Sequence, residues 1–141
     1  MAEQAKEVCL GGFMSANLKK GLLKGYGLYI TNRRIIGVKK RALALPALLV
    51  GGLAAWAMEK VAEDERVKLV EELDKNKDFE IYKERVQAIE LKKPSFFKRG
   101  HLRIISTSGE ETKIMVLDKK AFNALREMMS AFKPEALTVI E

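Results

Sequence analysis

The chain has 141 residues, 48% of them hydrophobic and 32% charged, with a formal net charge of +7. That composition describes one globular domain with a real core and excludes a disordered or low-complexity chain. One cysteine, Cys9, excludes an internal disulfide, and the polar first residues lack the apolar core of a secretory signal, so a cytoplasmic location is expected.

In chain order, Val8 to Asn17 reads as a first strand, interrupted by Gly11 and Gly12. A basic connection with Lys19, Lys20 and Lys24 follows. Tyr26, Leu28 and Ile30 alternate with Gly27, Tyr29 and Thr31, Thr-Asn breaks the run, and Arg34 to Lys40 resumes an extended pattern. This is the signature of a tight hairpin. An insert of about residues 42–78 then separates strands three and four. Its first part, Ala42 to Met58, has no charged or polar side chain and is flanked by Lys39, Lys40 and Arg41. From Leu53 to Leu73 the composition predicts a helix with Met58, Val61, Ala62, Leu69 and Leu73 on one face. Strands resume around Phe79 and Ile81, Ile89 and Leu91, Leu102 to Ser106, and Thr112 to Leu117. Asp118 is an N-cap for a last helix that presents Phe122, Leu125, Met129 and Phe132 at helical spacing until Pro134 stops it.

The pattern predicts a mainly β domain spanning 1–141. It has about seven strands in a bent antiparallel barrel or sandwich, one C-terminal helix plugging the open end, and a helical apolar insert. The segment Gly25 to Ile36, GYGLYITNRRII, together with the order of strands and helix after residue 79, resembles the pleckstrin-homology-like superfold, in particular its GRAM-like and bacterial or archaeal members. The likeness covers about residues 7–41 and 79–132. It implies a binding module rather than an enzyme. In phosphoinositide-binding relatives the first inter-strand loop carries basic ligands, which maps onto Lys19, Lys20 and Lys24. The ordered lysine and arginine pattern of those sites is absent here.

No catalytic constellation is present, and no cofactor is expected. His101 is the only histidine, and with Cys9 it falls short of a zinc site. Neighbouring Lys98, Arg99 and Arg103 suit it to phosphate contact better than to general-base work, and an exposed surface histidine is the favoured reading. The glycine pairs lack the lysine and hydroxyl residue of a phosphate-binding loop.

Two segments remain as candidate contact surfaces. In the first, Lys92, Lys93, Lys98 and Arg99 flank Phe96 and Phe97. Rings between cations can enter an anionic lipid interface or stack on single-stranded bases, or one Phe can tuck under the sheet while the basic side chains stay solvated. The second is the insert, with Leu48, Leu49, Leu53, Trp56, Met58, Val61 and Leu69. Both its ends belong to one sheet, which excludes a single membrane crossing. It must pack on its own sheet, lie in a bilayer interface, or bury itself against a second copy. The leading expectation is a module at the inner face of an anionic membrane. The alternative is a protein–protein adaptor that self-associates through the insert helix. Nucleic acid ranks last, because the basic residues are dispersed.

Overall fold

Eight strands and two α-helices are arranged around one sheet in the computed structural model, which describes residues 6–39 and 62–141. The first strands are β1 (Cys9–Lys20), β2 (Leu23–Thr31) and β3 (Arg34–Lys39), followed by α1 (Glu63–Asn76) and β4 (Lys77–Tyr82). Then come β5 (Val86–Lys92), β6 (Gly100–Ser106), β7 (Glu111–Val116), α2 (Lys119–Phe132) and β8 (Leu137–Ile140). The strand order is β4-β3-β2-β1-β7-β6-β5-β8, and the sheet does not close. Two antiparallel meanders, β1–β4 and β5–β7, join where the end of β1 pairs with the end of β7 through Leu18 with Val116 and Lys19 with Met115. The eighth strand was not expected from the sequence. It lies parallel to β5, with Ile89 opposite Leu137 and Lys92 opposite Ile140.

The first meander is covered on both faces. Tyr26, Leu28, Ile30 and Ile35 face the main core with residues of β5–β7, and α2 packs Phe122, Leu125, Met129 and Phe132 against them. Tyr29, Ile36 and Val38 point to the other face. There they meet Cys9, Met14 and three residues of α1, namely Leu69, Val70 and Leu73. Glycine makes this two-sided packing fit. A Cβ on Gly12 would overlap the Tyr29 ring, and one on Gly37 would overlap the Phe79 ring and the Tyr26 hydroxyl.

Helix α2 begins where expected. The Asp118 carboxylate accepts a hydrogen bond from Ala121 N at 2.9 Å and another from Asn17 Nδ2 at 2.7 Å, so it both caps the helix and ties it to β1. Asp118→Ala removes both bonds and is expected to cost about 1–2 kcal/mol, read as a lower midpoint in chemical denaturation. Helix α1 starts at Glu63 among the described residues and has no side-chain cap. Of the helical face expected for the insert, Leu69 and Leu73 are buried, Ala62 is exposed, and Val70 takes part instead. Met58 and Val61 lie outside the described residues.

Candidate functional site

The Thr31-Asn32-Arg33-Arg34 turn organises one end of the first meander. Thr31 Oγ1 accepts hydrogen bonds from Arg33 N at 3.0 Å and Arg34 N at 2.9 Å, and donates to Glu7 Oε2 at 2.7 Å. Asn32 holds the incoming chain by donating from Nδ2 to Lys6 O and accepting from Val8 N. Arg34 then points its guanidinium into a ring of carboxylates. Nε lies 2.8 Å from Glu7, Nη1 lies 2.8 Å from Asp74, and Nη1 also contacts Glu80. These contacts tie the N-terminal segment, α1 and β4 to β3. Hydrogen bonds from Lys77 and Arg34 hold the Asp74 carboxyl below its usual range. Burial works against the Glu80 carboxylate, but bonds from the same two cations outweigh it and lower its pKa as well. The chemistry here is structural, since every charge of the cluster is answered within it.

Of the basic connection expected after the first strand, Lys19 and Lys20 lie on β1 and Lys24 on β2, and Lys20 is spent internally. Lys20 Nζ lies 2.6 Å from Asp78 and 4.9 Å from the centre of the Phe79 ring, and Tyr26 donates its hydroxyl to the same carboxylate at 2.7 Å. Burial disfavours the Asp78 charge, yet these two bonds, with Lys39 at 3.9 Å, keep its pKa low. Lys19 pairs with Lys24 across the hairpin. Between them Gly21, with φ of 60°, turns the chain and leaves Leu22 97% exposed at the tip. Nothing in the sequence reading singled out Leu22.

His101 is not set up for phosphate. Its Nε2 lies 3.0 Å from Glu90, which also accepts from Arg103, and Arg103 reaches on to Glu111. This is a cross-strand charge ladder over β5, β6 and β7. Hydrogen bonds from His101 and Arg103 keep the Glu90 carboxyl below its usual range. Burial pushes the Cys9 thiol up to about 12, so the one cysteine is a buried apolar side chain rather than a nucleophile.

The segment between β5 and β6 differs from all of these. Phe96 is 94% exposed and Phe97 is 90% exposed, with ring centres 5.0 Å apart and planes at 82°. The tucked-under alternative is thereby overturned for both rings. The loop that carries them is well tied. Lys93 N donates to Ile140 O of β8 and Ser95 N donates to Lys98 O, both at 2.8 Å, while Lys98 N donates to Ser95 Oγ at 3.1 Å. Gly100 closes the base, because a Cβ there would run into Lys92 O and Pro94 N. Lys98 and Arg99 are exposed and Lys92 and Lys93 half-buried, so four cations flank the exposed edge-to-face aromatic pair along the chain.

Gly100 pairs with Val116, so the aromatic loop lies beyond the C-terminal end of β7. Along β1, the step from Leu18 opposite Val116 to Lys19 opposite Met115 carries the β1–β2 turn the other way. The register places Lys24, Lys19, Met115, His101 and Lys92 in one row across the sheet, with the aromatic loop and the β1–β2 turn leaving it in opposite directions. The expected contact residues Lys40, Arg41, Leu48, Leu49, Leu53, Trp56, Met58 and Val61 lie outside the described residues. Leu69, expected in a membrane or oligomer contact, is 5% exposed and packs on its own sheet. Among the described residues, no helix is long and apolar enough to cross a membrane.

In comparisons with known proteins, no family model matches the chain and no curated protein matches it.

Proposed function

We propose that this protein is a non-enzymatic module of the pleckstrin-homology-like type that docks on an anionic membrane surface through the loop between β5 and β6. Three features support the architectural part: a four-strand and a three-strand meander meeting at β1 and β7, the amphipathic α2 filling the core between them, and the GYGLYITNRRII hairpin.

The docking part rests on one observation. Two phenylalanine rings, each about nine-tenths exposed, stand together on a hydrogen-bonded loop flanked by four cations. Folding gains nothing from leaving such rings in water, since burying one stabilises by roughly 1.5–3 kcal/mol. A bilayer interface accepts the rings at the acyl boundary and the cations at the headgroup phosphates simultaneously. Self-association through the insert helix has less support among the described residues, because α1 uses Leu69, Val70 and Leu73 to cover its own sheet.

The test is flotation with phosphatidylcholine vesicles, with and without about a third phosphatidylserine, at low and high salt. Binding that requires the anionic lipid and weakens with salt supports the proposal. Equal recovery with neutral vesicles, or none with either, rejects it.

A further inference from the structure

The first turn of α2 carries two lysines in a place where folding does not want them. Lys119 and Lys120 open the helix, and no acidic residue accompanies them in that turn. The N-terminal end of a helix macrodipole is positive, so a cation there is unfavourable, and acidic side chains are the stabilising choice. Both lysines are exposed, and among the described residues no salt bridge answers either of them. A local rule broken with no gain inside the fold points to a gain outside it.

Their surroundings say what kind. Pairing of Gly100 with Val116 sets the aromatic loop beside the start of α2, and one shallow groove is bordered by Lys93, Ser95 and Phe96 on one side and by Leu117 and Lys119 on the other. Two carboxylates also border this region, and both are occupied. Asp118 is held by Ala121 N and Asn17, and Glu141 lies 3.3 Å from Arg126. The backbone amide of Ala121 is likewise taken by Asp118, and the lysine side chains are the exposed charged groups there.

We infer that Lys119 and Lys120 belong to the same membrane-contact surface as Phe96 and Phe97, and that they meet anionic headgroups while the rings enter the interface. This rests on the docking reading above and extends it to residues that no motif marks. The chosen occupant is an anionic bilayer, because one groove joins Lys93 and the exposed Phe96 of the loop to Lys119 on a separate element.

The same change at these two lysines should strengthen the fold and weaken binding. Lys119→Glu with Lys120→Glu is expected to raise the thermal midpoint by about 2–4 °C, because it corrects the charge at the helix end. In flotation with phosphatidylserine-containing vesicles at low salt, it is expected to lower binding at least about thirtyfold, with the milder Lys119→Gln and Lys120→Gln pair falling in between. Lys68→Glu with Lys75→Glu on α1 makes the same change in net charge on exposed residues away from the loop, and should alter binding by no more than about twofold if position rather than total charge decides. If the α2 variant binds as the native chain does while Phe96→Ala with Phe97→Ala does not, the inference fails and the docking reading stands. Equal losses from the α1 and α2 variants also overturn it. If the native chain ignores anionic vesicles, both fall together.

Discussion

Arg34→Met is expected to destabilise the fold by about 2–4 kcal/mol, read as the shift in a urea denaturation midpoint at neutral pH. Breaking a buried ion pair by removing one partner typically costs about 3–5 kcal/mol, because the partner charge is stranded. Here three carboxylates are stranded, Glu7, Asp74 and Glu80, with Lys77 remaining near the last two. Asp74 has 48% of its side chain exposed and can rehydrate, which places the cost toward the lower part of the range. The Arg34 side chain itself is only 7% exposed, so no water replaces it without repacking. The substitution loosens three segments together, since the guanidinium joins the residues before β1, the end of α1 and β4 to the hairpin.

The same cluster sets an acid limit. The folded pKa values of Asp74 and Glu80 lie below their ordinary ones, so their pairing contributes in full above about pH 4.3 and is lost as pH falls through the folded values. Native stability should therefore fall steeply below about pH 4. Arg34→Met should show a shallower decline there, having already lost much of the pairing. An unchanged slope would mean that other carboxylates govern the acid limb.

Phe96→Ala with Phe97→Ala is expected to do the opposite of Arg34→Met: to leave stability within about 0.5 kcal/mol and to abolish most membrane binding. Rings that are 94% and 90% exposed contribute little to the folded state. At an interface the two together contribute several kcal/mol through apolar burial, which salt scarcely screens, so affinity should drop roughly 10²-fold at both low and high salt. Replacing Lys92, Lys93, Lys98 and Arg99 by Gln should act differently. At about 1 kcal/mol per cation near anionic headgroups, the loss should be of order 10²–10³-fold at low salt and much smaller at high salt. A double Phe variant that unfolds, alongside a Gln variant that binds normally, would make the loop purely structural.

How much of this was readable in the sequence follows from how local each signal is. Helix α2 was legible because its N-cap, apolar face and proline stop all lie within one stretch of chain. The hairpin of β2 and β3 was legible for the same reason. Its two-sided burial was signalled as well. Tyr26 to Ile30 contains no charged side chain and is continuously apolar or aromatic, and such runs mark strands covered on both faces rather than strands with one wet face. Read as simple alternation, the run gave no hint that α1 would cover the outer side. Strand β8 was illegible, since LTVI is four residues long and its parallel pairing with β5 depends on a partner about fifty positions away. The aromatic loop was visible as composition, but only its place in the fold decided between buried and exposed rings. Arg34 was visible as part of a motif, whereas its three partners come from positions 7, 74 and 80 and have no local pattern.

The claim that the loop enters a bilayer is tested most directly by a nitroxide label at its tip. Cys9 is completely buried with its thiol pKa pushed up to about 12, so in the native fold it resists labelling, and a cysteine placed at position 97 is modified selectively. Phe97→Cys with a nitroxide, and Leu22→Cys with the same label at the other end of β7, are mixed with phosphatidylserine-containing vesicles, and relaxation by oxygen and by a water-soluble nickel complex is measured. The label at 97 should gain contact with oxygen and lose contact with nickel on binding, as a group below the headgroups does, while the label at 22 stays in water. A label at 97 that remains as accessible to nickel with vesicles as without them would contradict docking through this loop.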